Sequence, residues 1–272
     1  MIRELISNLR NSNHLKGTWS EKISTFFTLT RLQIKSKIFK KKNVVVSESF
    51  FKYKIFGYNY SELYILFIEV FLLNEYYFQT ATKEPLIIDC GANIGMSVLY
   101  FKKLFPNSKI IAFEPNPHAF KLLENNMKVN KINKVELHNV GLYDKETEIS
   151  FFIGDNIGSF VGSLKKERGG NTELKIQTEK LSHYLKSIET VDLIKMDVEG
   201  AEINIIDDLL ESSSITKAKE YIIEFHHNIN EGKSMLSSFL HKFESKGFNY
   251  NIKATFSDIN CYQDVLVHFY KK

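Results

Sequence analysis

Cysteine is almost absent: the 272-residue chain has two, Cys90 and Cys261. Two such distant thiols form neither a disulfide framework nor a zinc-ligand spacing. Cys90 reads as a small buried hydrophobe rather than a reactive thiol. Long apolar runs are missing too. The longest covers residues 63–73, contains Glu69 and is too short to span a bilayer. The N-terminus is polar and lacks the apolar stretch of a secretory signal. A soluble, cytoplasmic protein is the expectation. No internal repeat is visible. The dinucleotide fingerprint G-x-G-x-x-G does not occur in the turn that matters most. A disulfide-stapled scaffold, a compact zinc domain and a membrane-spanning helix are all disfavoured.

What is present is a 43% hydrophobic composition with 22 Phe and 13 Tyr, enough for one sizeable aromatic-rich domain with a modest extension. The net charge of +4 conceals an asymmetry. Residues 1–43 carry ten Lys/Arg against two Asp/Glu, and the remainder carry 26 against 30. A basic arm on a slightly acidic domain suggests anionic contacts, although a solvated helical face explains the charge better. For the arm's role, docking against the domain or a subunit is expected first, an anionic membrane surface second and RNA third. Phe26, Phe27, Leu29 and Leu32 favour that order, because a purely electrostatic arm has no need of them. Peripheral contact at the inner face of the membrane and a homodimer are further expectations.

The organising stretch is Leu86-Ile-Ile-Asp-Cys-Gly-Ala-Asn-Ile-Gly95. An apolar run ends in an acid, two glycines follow, and Met96, Leu99, Tyr100 and Leu104 then share a helical face. This is a buried parallel strand, a tight turn and a helix start. Gly91 and Gly95 suit close approach of backbone to a ligand and of helix to strand. An acid at the strand tip, Asp89, repels a pyrophosphate but suits an amine or a sulfonium. Nineteen residues after Gly95, a second strand ends in Glu114, placed to hold ribose hydroxyls. Asn116 and Pro117 supply an N-cap and a first-turn proline. Two strand-tip acids around a glycine turn suggest a nucleoside without a phosphate there, and S-adenosylmethionine fits that description.

Four segments carry a resemblance: Asp89-Cys-Gly-Ala-Asn-Ile-Gly95, Phe113-Glu-Pro-Asn-Pro117, Asn139-Val-Gly-Leu142 and Ile194-Lys-Met-Asp-Val-Glu-Gly-Ala-Glu202. Through them the sequence resembles the FkbM-type methyltransferases over roughly residues 85–226. The resemblance implies the class I methyltransferase fold, an α/β architecture with a doubly wound, mostly parallel seven-stranded sheet. Strand and helix alternate through residue 225, and two closely spaced strands follow, which fits one antiparallel strand. Residues 1–80 are expected as a helical and hairpin extension or cap, and residues 81–272 as the methyltransferase domain. Expected strands lie at residues 44–46, 50–56, 135–141, 148–153, 191–196, 220–225, 250–256 and 264–270. A helix is expected over 61–73, and a mobile loop near the substrate opening over 156–171. By resemblance, part of 60–78 forms a lid, although core packing accounts for most of its aromatics.

The resemblance assigns S-adenosylmethionine as cofactor, with Asp89, Gly91, Ala92, Asn93, Gly95, Glu114, Asn116 and Gly141 around it. An activated methyl donor needs an acceptor held in line and a group to take the proton. Such groups belong at the carboxyl ends of the fourth and fifth strands. Asp197, Glu199, Glu224 and His226 are therefore the catalytic candidates. Asp197 and Glu199 flank Val198 at the strand tip, and at most one of them is expected to face the crevice. Glu224 and His226, two apart, share a face. His226 suits a general base, or equally a hydrogen-bonded structural histidine. Glu202 reads as support for a helix N-terminus. Asp197, Glu224 and His226 offer ligands of the right types for a divalent ion, but no compact metal motif is present and no metal is assigned.

The turn Asp197-Val-Glu-Gly200 lacks the Pro-Pro-aromatic platform of enzymes that methylate nucleobase amines. The resemblance instead implies O-methylation of a hydroxyl on a sugar, a glycan or a specialised metabolite. An RNA ribose O-methyltransferase is the alternative, with the basic arm as its footprint. DNA is not expected as a partner and RNA is disfavoured. A non-catalytic membrane-associated binding protein is the other alternative, and intact Asp89, Gly91, Gly95 and Glu114 argue against it.

Overall fold

The computed structural model describes residues 2–15, 17–39, 44–154, 162–228, 234–255 and 262–271. Helix α1 (Ile2–His14) packs on α2 (Trp19–Ile38), which starts at a reciprocal capping box between Thr18 and Glu21. A hairpin follows, β1 (Val46–Phe50) and β2 (Tyr53–Gly57), with Phe50 opposite Tyr53. Its strands are displaced from the expected 44–46 and 50–56 because Phe51, at φ 51°, is part of the turn. Helix α3 (Tyr60–Leu66), capped by Asn59, runs on as a π-helical stretch (Phe67–Leu72) within the expected helix.

The main domain then alternates: β3 (Leu86–Cys90), α4 (Met96–Leu104), β4 (Lys109–Phe113), α5 (Pro117–Val129) and β5 (Val135–His138). Four strands and two short helices come next: β6 (Gly141–Leu142), β7 (Thr147–Ile153), β8 (Gly162–Ser163), α6 (Lys166–Gly169), β9 (Thr172–Glu179) and α7 (Leu181–Leu185). The chain closes with β10 (Val191–Met196), α8 (Glu202–Glu211), β11 (Ala218–His227), α9 (Leu236–Glu244), β12 (Asn249–Ala254) and β13 (Gln263–Tyr270).

Seven strands form the main sheet in the order β12-β13-β11-β10-β3-β4-β5. Neighbours from β11 to β5 are parallel, and β13 runs antiparallel to both β11 and β12. From β3 the order runs one way through β4 and β5, and from β10 the other way through β11. A topological switch point therefore lies between β3 and β10, where an open α/β sheet leaves a crevice at its carboxyl edge.

Alternation along the strands divides the core in two. Ile87, Leu193 and Ile222 face a cluster with Val98, Leu99 and Leu123 of α4 and α5. Their successors Ile88, Ile194 and Ile223 face the other cluster, with Leu181, Ile205, Leu209 and Phe243 of α7, α8 and α9.

The expected strand over 135–141 is in fact two. Gly141 and Leu142 leave the main sheet and join a second, four-stranded sheet ordered β6-β9-β7-β8. Part of the expected loop over 156–171 lies outside the described residues. Its remainder forms β8 and α6.

The N-terminal extension packs into the first cluster. Leu29, Leu32, Phe50, Phe67 and Phe71 join Ile87 and Phe101 there. Asn126 and Asn130, one turn apart on α5, satisfy the backbone of Phe56 and Lys54 on the outer edge of the hairpin. Part of the basic surplus is matched locally: Arg31 and Lys35 both reach Glu48, at 2.9 and 3.0 Å. Among the described residues no helix is long and apolar enough to cross a membrane.

Candidate active site

The crevice is built on the turn after β3. Gly91 has φ +84°, and a Cβ there would lie 1.8 Å from the Asp197 carbonyl oxygen. Glycine is needed because the tips of β3 and β10 close on each other, tied by Asp197 N–H donating to Cys90 O at 3.0 Å. The turn's own N–H groups at Gly91 and Ala92 donate to Phe113 O. Gly95 begins α4 at φ +90°, where a side chain would strike Leu123 and Met127. Its role is helix packing, and it lines neither cavity described below.

Asp89 is fully buried. It accepts from Ser97 Oγ at 2.5 Å and pairs with Lys195 Nζ at 3.3 Å. Lys195 itself donates to Gly91 O at 2.7 Å and lies 3.9 Å from Asp197. Burial alone would push its ammonium down, but Asp89 and Asp197 hold it above its ordinary value. Asp89 therefore acts from beneath the turn, through Lys195.

Two cavities meet at the sheet edge and share Gly91, Asn93, Asp197 and Glu199. The first is lined by Phe113, Glu114, Pro115, Asn116, Gly141 and Leu142, and is closed by Ile149, Phe151 and Ile176 of the second sheet. Glu114 is 6% exposed. One of its oxygens accepts from Asn93 N–H and the other from Asn116 N–H, both at 2.8 Å. Burial pushes its carboxyl up to about 7 against those two bonds. Asn116 caps α5, accepting from His118 N–H, with Pro117 in the first turn as expected. Asn139 donates to Glu114 O and closes the loop after β4.

The second cavity is broader and carries most of the site's charge. Glu69, Glu75, Asp197, Glu199, Glu224 and Asp264 line it, together with Lys195, Arg168 and Lys253. Ala92 lines this cavity and not the first. Leu66, Val70 and Tyr76 also contribute, so part of the expected lid segment does wall the site; Phe67, Phe71 and Phe78 are core.

Asp197 and Glu199 both line the crevice, against the expectation of at most one. Strand β10 ends at Met196, so both lie in the turn beyond it, where Glu199 sits at φ +57° and Gly200 at φ +109°. Burial pushes the Glu199 carboxyl up to about 8, with Asp197 adding to the rise and His226 and Arg168 opposing it. Burial and Asp197 likewise push Glu224 well above the ordinary carboxylate range.

His226 occupies a place other than that of a free base. Its side chain is fully buried and lines neither cavity. Its Nδ1 lies 2.6 Å from Glu202 Oε1, which also accepts from Gly200 N–H. Burial would lower the imidazole, but Glu202, Glu199 and Asp197 raise it to about 10. Its Nδ1 is committed to Glu202, and its Nε2 faces the surrounding carboxylates from outside either cavity.

Sequence reasoning missed Lys195, Arg168 and Asp264. Lys195 left a signal, a charge inside an otherwise apolar buried strand, which demands partners. Period-two alternation at Ile149 and Phe151 marked the apolar wall of the first cavity. Arg168 gave none. It pairs with Glu199 at 2.7 Å and stacks 3.9 Å over the Tyr262 ring, contacts made across the fold.

A doubly wound sheet with one antiparallel strand and a crevice at its switch point is the class I methyltransferase fold. The methyltransferase FkbM domain profile matches residues 89–250. The chain belongs to the FkbM methyltransferase family. It is 27% identical over 161 residues to Methyltransferase 1 of Beauveria bassiana, covering 51% of this chain and 64% of that protein. It is 27% identical over 139 residues to the 2-O-methyltransferase NoeI of Sinorhizobium fredii, covering 45% of this chain and 56% of that one. The chain thus spans less than two thirds of the length of either relative. In fold it matches a crystal structure of methyltransferase FkbM from Methylobacillus flagellatus with a TM-score of 0.51 at 13% identity, over 99% of this chain and 59% of that one.

Proposed function

We propose that this chain is an S-adenosylmethionine-dependent O-methyltransferase acting on a hydroxyl of a sugar, a glycan or a specialised metabolite. The observation that carries the reading is the junction of two chemically different cavities at Asp197 and Glu199. The first has apolar walls for an adenine and Glu114 at its floor for ribose hydroxyls. The second sets six carboxylates opposite apolar side chains such as Leu66, Val70, Tyr76 and Leu266, which suits a sugar with its hydroxyls and apolar ring faces. A donor in one and an acceptor in the other meet in line at the shared edge.

In the transfer, the acceptor oxygen attacks the methyl carbon, the C–S bond breaks, and S-adenosylhomocysteine leaves. The hydroxyl proton passes to the Asp197/Glu199 pair. Both acids line the edge that the two cavities share, where the acceptor hydroxyl would lie. The acidic wall also repels a polyanion, which favours a sugar hydroxyl over a ribose within RNA. Similarity to a protein named 2-O-methyltransferase supports the choice of oxygen as the acceptor atom.

The test is transfer of a labelled methyl group to a panel of sugars, glycans, hydroxylated metabolites and RNA. Label should enter a hydroxyl acceptor, and Asp197→Asn should lower turnover about 10²–10⁴-fold while leaving donor binding in place. Label on RNA alone, or wild-type turnover by the variant, contradicts the reading.

A further inference from the structure

Among the described residues, His226 Nε2 is buried without a hydrogen-bond partner, and four carboxylates surround it. Glu199 lies at 3.3 Å, Asp197 and Asp264 at 3.9 Å, and Glu224 at 4.0 Å. We propose that this group is a divalent-cation site, with His226 Nε2 as its nitrogen ligand and an open position facing the acceptor cavity.

Three observations converge. First, the donors are grouped: in each of two triads that share His226, with Asp197 and Glu199 or with Glu224 and Asp264, the ligand atoms lie within 4.8 Å of one another. Ligand atoms about 2.1 Å from an ion stand about 3.0–3.4 Å apart in octahedral or tetrahedral arrangement. Glu199 is already at that distance from His226 Nε2, and the other three acids reach it by closing about 0.5–1 Å. Second, the opposite ring nitrogen is held by Glu202 at 2.6 Å, and Glu202 is itself fixed by Gly200 N–H. A carboxylate holding one imidazole nitrogen so that the other faces a metal is the usual supporting arrangement for a metal-bound histidine. Third, four acids converge where cationic side chains are few. Arg168 reaches Glu199 and, at 3.6 Å, Asp264, while Lys195 is shared between Asp197 and Asp89. A doubly charged ion balances what these two leave.

One imidazole among carboxylates selects a borderline first-row dication of the Mn²⁺ to Zn²⁺ series over Ca²⁺. Asp197, Glu199, Glu224 and Asp264 all border the acceptor cavity. An ion there would take an acceptor oxygen as a further ligand and make its hydroxyl easier to deprotonate. That role rests on the methyl-transfer reading above; the binding site does not.

The experiment uses the full chain after dialysis against a chelator. Mn²⁺ binding is followed by loss of the free-ion electron paramagnetic resonance signal, and Zn²⁺ by calorimetry. One ion per chain is expected. Glu202→Gln should weaken binding 10–100-fold without removing a ligand. Asp264→Asn, at the half-exposed rim where folding is not at risk, should weaken it at least tenfold. Absence of stoichiometric binding in the folded wild type, or unchanged affinity in both variants, overturns the proposal and leaves His226 as a buried imidazolium. Chelator-insensitive methyl transfer with no ion bound also defeats the site while the enzyme reading stands. Stoichiometric binding lost in the variants upholds the site even where no hydroxyl is methylated.

Discussion

At the scale of single residues, two positions carry most of the crevice. Gly91 is fixed by geometry: the Asp197 carbonyl occupies the space of any side chain, and φ is positive. Gly91→Ala should cost more than the ~1–2 kcal/mol of the left-handed conformation alone, because the β3 and β10 tips must separate. Urea denaturation of the variant measures this, and a loss under 1 kcal/mol would contradict the geometry. Glu114 carries the pH dependence. Its folded pKa is raised from 4.5 to about 7, so its contribution to stability is full below 4.5 and is lost as pH rises through about 7. Ribose hydroxyls donate best to the ionised form. Affinity for S-adenosylmethionine should therefore climb as pH passes through about 7, and titrations at successive pH values should show that climb in the wild type and not in Glu114→Gln.

At the scale of elements, much was legible in the sequence because local chemistry decided it. The β3 turn, the Asn116-Pro117 helix start and the apolar β10 follow from strand runs, caps and glycines that need no distant partner. What was not legible depended on turns and on contacts across the fold. Glu199 and Asp197 both line the crevice from the turn after Met196, and Arg168, far away in sequence, pairs with Glu199 there. Of the ligand-like group around His226, Asp197 and Glu224 were legible as donors of the right type, but its assembly from the turn after β10, from β11 and from β13 left no compact motif. The splitting of residues 135–141 into two sheets depends on β9, more than thirty residues away. In the basic arm, docking was legible from Leu29 and Leu32, which α2 buries completely in the first cluster, whereas the exposure of Phe27, named with them, was not. Leu32→Ala should cost about 2–5 kcal/mol, since the side chain belongs to the cluster shared with α4. Denaturation midpoints should shift accordingly; a negligible change would show that α2 is not part of the cooperative core.

At the scale of the whole molecule, one sheet sets the chemistry by where its order reverses. The switch point opens the crevice, the second sheet roofs its apolar end, and β11 and β13 bring acids to its polar end. The account stands or falls on a methyl donor binding at that junction. The most direct measurement is calorimetric titration of the full chain with S-adenosylmethionine at pH 8, beside Glu114→Gln verified as folded. One molecule bound per chain is predicted, with the variant weaker by about 1–3 kcal/mol. A folded wild type that binds none, or a variant of unchanged affinity, would contradict it.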